Sequence, residues 1–197
     1  MKTVKYGIIG LGNMGSGHIA SFFKEGNVPN AQVVAIADRK PDKVQRICDK
    51  YPDAKFDCYA EGTDLIDNAD VDAVVVAVPH YQHPELCIRA LKRGLNVICE
   101  NPAGVYTKQV KEMMAVAKES KSLFTMMFNQ RTNCVYRKMR EMIADGEIGS
   151  VKRVNWIITN WHTTTAADGA RPGQAKAAEC CLTNALTNLT CCSGSRV

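Results

Sequence analysis

The sequence of 197 residues has no long apolar run. Its strongest apolar stretch, "AVVVAV" at 73–78, falls far short of the roughly 20 residues that a membrane helix needs. The opening "MKTVKYGIIG" lacks the apolar core and small-residue cleavage site of a secretion signal, so a cytoplasmic protein with no membrane partner is expected. Blocks of like charge are missing too. The net charge of +5 comes from 25 basic and 20 acidic residues that are interspersed, a solvated mixed surface that argues against a nucleic-acid partner. With 46% hydrophobic and 23% charged residues, the composition excludes bulk disorder. No internal repeat is visible, and the nine cysteines contain no C-x-x-C spacing, so no metal site is expected. Cys48, Cys58, Cys87, Cys99 and Cys134 read as small core residues or idle thiols of a reducing compartment.

What is present is alternation. "TVKYGIIG", "AQVVAIAD", "DAVVVAVP", "NVICE" and "LFTMMFN" read as short, continuously apolar strands. Between them lie the helical patterns "NMGSGHIASFFKEG", "PDKVQRICDKY" opened by Pro41, "HPELCIRALKRG" closed by Gly94, and "TKQVKEMMAVAKESK". Strands dry on both faces, separated by helices, predict an α/β fold of the Rossmann type, a doubly wound parallel sheet. "NCVYRKMREMIADGEIG" predicts a further helix ending near Gly146. "SVKRVNWIITNW" predicts a strand with one wet face, because Val151, Arg153, Asn155 and Ile157 alternate with other residues. The change of pattern divides the chain into a nucleotide-binding domain over 1–129, the beginning of a second domain over 130–161, and a tail over 162–197.

"GLGNMG" sets Gly10, Gly12 and Gly15 in G-x-G-x-x-G spacing directly after a strand and at the mouth of a helix. There Gly10 allows a tight turn, Gly12 lets backbone approach a pyrophosphate, and Gly15 allows close helix–strand packing. The helix start, with Asn13 and Met14, adds unsatisfied N–H groups that favour an anion. Asp38 ends the second strand, where a carboxylate accepts hydrogen bonds from the adenosine ribose and repels a 2′-phosphate, so NAD is expected. Arg39 beside it leaves NADP open.

"VPHYQHPE" and "CENPAGVYT" end the third and fourth strong strands, where such a sheet opens its ligand crevice. Together with "GIIGLGNMG", "AIADR", "MFNQRTN" and "VKRVNWIITNW", they make residues 3 to about 161 resemble the Gfo/Idh/MocA oxidoreductases. The resemblance implies oxidation of a hydroxyl of a sugar, polyol or related compound, or the reverse, with NAD or NADP. It also implies a C-terminal α/β substrate domain and homo-oligomers for full-length members. It places Val78, Pro79, His80, His83 and Glu100 beside the cofactor. Asn129, Gln130 and Arg131 fall at the family's polar cluster near nicotinamide and substrate, or else form a polar linker between domains. His83, which precedes Pro84, reads equally as a helix-start residue with no role. The family's Glu-Lys-Pro is here Glu100-Asn101-Pro102. Asn101 stands where the lysine assists proton transfer, and an amide can neither take up a proton as an amine base nor supply a cation. Impaired catalysis is therefore expected, the alternative being a dinucleotide-binding protein without activity.

From residue 163 onward Ile, Phe, Tyr, Trp, Met and His disappear, and Cys180–Cys181 and Cys191–Cys192 form adjacent pairs. Adjacent cysteines suit neither a tetrahedral zinc ion nor a disulfide closed on itself. Read one frame over, each pair becomes a leucine codon, and Gln174 to Glu179 can become a glycine-rich stretch. A frameshift in the underlying nucleotide sequence near residues 161–163 is the expectation, with the tail lying outside the fold.

Overall fold

A computed structural model describes residues 2–23, 28–155 and 157. The cysteine pairs of the tail and the inferred frameshift lie outside the described residues. Contacts divide the chain into two units, Met1–Met127 and Phe128–Val197.

The first unit alternates strand and helix: β1 (Val4–Ile9), α1 (Asn13–Phe23), β2 (Ala31–Ala37), α2 (Pro41–Lys50), β3 (Asp57–Tyr59), α3 (Gly62–Asn68), β4 (Ala73–Val76), α4 (His83–Arg93), β5 (Asn96–Cys99), α5 (Thr107–Glu119) and β6 (Phe124–Met126). The strands form one sheet in the order β3-β2-β1-β4-β5-β6, and every pairing is parallel. The order reverses between β1 and β4, which opens a crevice outside their carboxyl ends.

Side chains alternate between two cores. Ile8, Ile36 and Val75 pack with Ile19 of α1 and Ile47 of α2 on one face. Ile9, Val74 and Val76 pack with Leu65, Leu86, Leu91 and Met113 on the other. In β2 the period slips. Val33 and Ile36 belong to the first core while Val34 and Ala35 both touch the second, because the pairing jumps from Tyr6↔Val33 to Gly7↔Ala35. Val34 is the extra residue of a bulge, which lets two consecutive side chains face one way.

Helix α4 ends as its sequence predicts. Gly94 adopts φ 88°, and the N–H groups of Gly94 and Leu95 donate to Leu91 and Ala90 carbonyls at 3.0 Å each, the left-handed C-cap that glycine allows without steric cost.

In the second unit a 3-10 turn over Asn129–Thr132 leads to α6 (Cys134–Ala144), whose first turn is capped by the Asn133 side chain accepting from the Val135 N–H at 2.9 Å. The expected strand after it is not formed where the chain is described. Residues 151–155 carry no regular structure, and among the described residues no strand pairs with them. Alternation prepares a strand, but the ladder needs a neighbour to receive its N–H and C=O groups.

Candidate functional site

The glycine loop joins β1 to α1 at the reversal of strand order. Gly10 has φ 94°, and a Cβ there would lie 2.5 Å from the Ala77 carbonyl oxygen. Its N–H donates to Ala37 at 2.8 Å. A Cβ on Gly15 would sit 1.8 Å from the Gly10 carbonyl oxygen, so α1 crosses the end of β1 at glycine-only distance. Gly12 differs: a Cβ on it would meet nothing within 4 Å. The backbone of the loop is thus open on one side, next to the exposed Asn13 and Met14 of the first helical turn. That is the shape a pyrophosphate needs, with N–H groups and a helix N-terminus facing free space.

Asp38 follows β2 and reaches back to this loop. Its Oδ2 accepts from the Leu11 N–H at 2.8 Å and from Lys43 Nζ at 3.3 Å, while Oδ1 accepts from the Lys40 N–H at 2.9 Å. The carboxylate therefore braces the glycine loop from the end of β2. Arg39, its neighbour, is turned to Glu61, with Nε 2.9 Å from Oε2. An open hollow of about 280 Å³ beside Asp38 is lined by Pro41, Val44, Gln45, Cys58, Tyr59 and Ala60. A larger one, about 590 Å³, lies between the C-terminal ends of α4 and α5, at the amino edge of the sheet and away from the crevice.

The other wall of the crevice comes from the turns after β4 and β5. Val78, Pro79 and His80 lead into a 3-10 turn over His80–Gln82. Glu100 follows β5 with 8% of its surface exposed, its N–H bonded to the Val76 carbonyl at 3.0 Å. The Glu100 carboxylate meets His18 Nε2 at 2.6 Å and accepts from the Asn101 N–H at 3.3 Å. It thereby ties α1, the helix of the glycine loop, to the turn that carries Asn101. The Asn101–Pro102 peptide is cis, and Asn101 is half-buried.

Of the two readings left open for His83, the structure shows a helix-start residue enclosed by the fold. It has no exposed surface, and its two ring nitrogens lie 2.7 and 2.8 Å from the Pro102 and Val78 carbonyl oxygens. Both ring nitrogens are thus engaged by backbone carbonyls of the two turns. Gln130 belongs to the second unit, within the Asn129–Thr132 turn, where the Arg131 guanidinium lies 4.9 Å from the centre of the Phe128 ring. Among the described residues no cluster of three or more His, Cys, Asp or Glu is placed to hold a metal, and no helix is long and apolar enough to cross a membrane. Sequence reasoning missed His18 and the bracing role of Asp38. The only hint of the former was a histidine three residues beyond Gly15, one helical turn along α1.

Comparison with known proteins gives a consistent result. Residues 4–128 match the Gfo/Idh/MocA oxidoreductase family, NAD-binding Rossmann fold. Inositol 2-dehydrogenase of Rhizobium meliloti is 30% identical over 171 residues, which cover 86% of this chain and 47% of that protein. The 2,7-anhydro-N-acetylneuraminate hydratase of Mediterraneibacter gnavus is 34% identical over 166 residues, 82% of this chain and 41% of that one. Among solved structures, scyllo-inositol dehydrogenase from Lactobacillus casei with bound NAD(H) and scyllo-inositol superposes with a TM-score of 0.71 at 25% identity, covering 76% of this chain and 43% of that one. The chain spans less than half the length of these relatives.

Proposed function

This chain belongs to the Gfo/Idh/MocA oxidoreductase family and carries its NAD-binding Rossmann fold; from that premise we propose that it binds NAD in the glycine cradle and serves the oxidation of a hydroxyl on a sugar or cyclic polyol. Two of the three named relatives are inositol dehydrogenases, which supports that substrate class, whereas the third is a hydratase of an anhydro sugar acid. The observation that carries the reading is the cradle itself: space held open at Gly12 between two glycines, Gly10 and Gly15, whose packing tolerates no side chain. When bound, the nicotinamide supplies the hydride acceptor.

The chain's own groups do the rest. Loop N–H groups from Gly12 onward receive the pyrophosphate, and Asp38 receives the adenosine ribose while bracing Leu11. NAD is favoured over NADP, because a 2′-phosphate would meet the Asp38 carboxylate while Arg39 is engaged by Glu61. Asn101 lies at the reacting end, at the position of the family lysine. Its amide can hold a substrate oxygen but cannot remove a proton, so catalysis in this chain is impaired. The same observation favours one second reading, a dinucleotide-binding protein without turnover.

Titration of NADH fluorescence tests the proposal. Gly12→Val places a branched side chain in the open space and is expected to weaken binding at least tenfold. Equal affinity in the variant would remove the cradle assignment. A panel of inositols and sugars with NAD then separates the readings: slow NADH production marks an impaired enzyme, and tight binding without turnover marks the binding protein.

A further inference from the structure

His83 opens α4, wholly buried, with Nδ1 2.7 Å from the Pro102 carbonyl oxygen and Nε2 2.8 Å from the Val78 carbonyl oxygen. Both partners can only accept. A neutral imidazole has one N–H, so one of the two contacts would set lone pair against lone pair in a dry interior, a costly arrangement for a buried polar group. A doubly protonated ring satisfies both. We propose that His83 is held as an imidazolium and acts as a positioning residue, clamping the turn after β4 to the turn after β5 and so fixing the crevice wall that presents Asn101.

Val78 follows β4, and Pro102 follows Asn101, so the ring spans the gap between the strand ends. The ionisable groups around it come from every neighbouring element: His80 in the 3-10 turn, its ring centre 5.7 Å away, Cys87 on α4, and Cys99 on β5, with Glu100 next in the chain and itself paired with His18 of α1. Burial disfavours charge on the ring, yet Cys99 and the two carbonyls outweigh it, and the pKa of His83 lies above its ordinary value. Cys99 is drawn down to about 6, chiefly by its hydrogen bond with Cys87, against burial and with help from His83. The Cys99 S–H donates to the Glu100 carbonyl at 3.3 Å, so the two carbonyl oxygens that accept from the ring are what solvate a buried imidazolium.

The positioning half of this inference rests on the cofactor reading above, whereas the protonation half does not, and the experiment keeps them apart. In the full chain, labelled with nitrogen-15, the ring nitrogens of the four histidines are followed by NMR from pH 6 to 9. Substitution of His18, His80 and His162 one at a time assigns the others and leaves His83 by elimination, even where His83→Gln fails to fold. Two protonated nitrogens on His83 at pH 7 are expected, and one unprotonated nitrogen there overturns the imidazolium. NADH titration then reads positioning. Wild-type affinity is expected to fall as pH rises through the His83 pKa that the spectra give, and His83→Gln, which retains one donor group, to bind about tenfold more weakly at pH 7, the equivalent of one hydrogen bond to a charged group. Affinity level through that pKa overturns the clamp. Absence of NADH binding to the wild type defeats the cofactor reading and the clamp together, while the NMR result still decides the protonation of the ring.

Discussion

One methyl group separates Gly15 from a collision. The Cβ of an alanine would lie 1.8 Å from the Gly10 carbonyl oxygen, a backbone atom that cannot swing aside as a side-chain tip would. Gly15→Ala must therefore push α1 off β1 and disturb Ile19, which is wholly buried against Ile8 and Ile36. Overpacking of this kind typically costs about 1–3 kcal/mol. The expected outcome is a clear drop in melting temperature together with weaker NADH binding, followed by calorimetry and fluorescence; an unchanged melting temperature would mean that helix and strand are not in this contact. The close packing at Gly10 and Gly15 was legible in the sequence because their spacing follows a strand and opens a helix. The brace that Asp38 gives to Leu11 is half legible, since a carboxylate at a strand end stands out in the sequence while its partner 27 positions away does not. His18 and Glu100 stand 82 positions apart, and nothing in the local pattern of either announces the other. The burial of His83 was equally hidden, because a polar residue ahead of a proline at a helix start reads as exposed until the turn after β5 folds over it.

At the scale of elements, apolar runs and caps made β1, β2, β4, β5 and β6 readable, as well as the helices between them. The edge strand β3 and the seven-residue α3 escaped: three residues give no period, and the Gly, Asp and Asn of "EGTDLIDN" imitate a turn. The bulge at Val34 was unreadable for a related reason, since it shifts phase inside a run that is apolar throughout. The start of the sheet is stitched by Asp72, just before β4. Its carboxylate accepts from the Lys5 N–H at 2.9 Å and from Lys2 Nζ at 3.0 Å, its own N–H donates to the Lys5 carbonyl at 2.9 Å, and its carbonyl receives the Asn96 side chain at 2.9 Å. The Lys5 N–H, followed by Lys2, holds the carboxyl below its ordinary range. A group with a depressed folded pKa contributes stability that is fully present above its unfolded value, about 3.9, and is lost as pH falls through the folded one. Asp72→Asn keeps the shape and removes the titration. Its unfolding free energy is expected to fall less steeply than the wild type's below about pH 4, measured by denaturant unfolding across pH 2–6, and parallel acid limbs would show that Asp72 carries no such linkage.

At the scale of the whole molecule, binding and chemistry draw on different parts of the chain. The glycine loop and Asp38, proposed above to hold the cofactor, lie within one unit, Met1–Met127, and are brought together by the parallel sheet. Turnover asks for more: a base beside the reacting hydroxyl, and a substrate held against the nicotinamide. A positioned base typically contributes about 10²–10⁴-fold, and orientation of the reactants can supply about 7–11 kcal/mol of the barrier. Restoring one does not supply the other. In the 197-residue chain, Asn101→Lys is accordingly expected to leave NADH affinity within about twofold, since the residue 101 N–H can donate to the Glu100 carboxylate whichever side chain it carries. The same variant is expected to raise polyol oxidation only slightly, because a lysine amine can take the proton while the family's substrate domain, which the resemblance places after residue 130, supplies most of the positioning. NADH production by the two proteins over the inositol panel decides it. If the lysine alone brings ordinary turnover, the first unit positions substrate by itself and the missing amine was the whole defect; if NADH affinity collapses instead, the side chain of Asn101 belongs to the cofactor cradle and not to the proton-transfer end of the site.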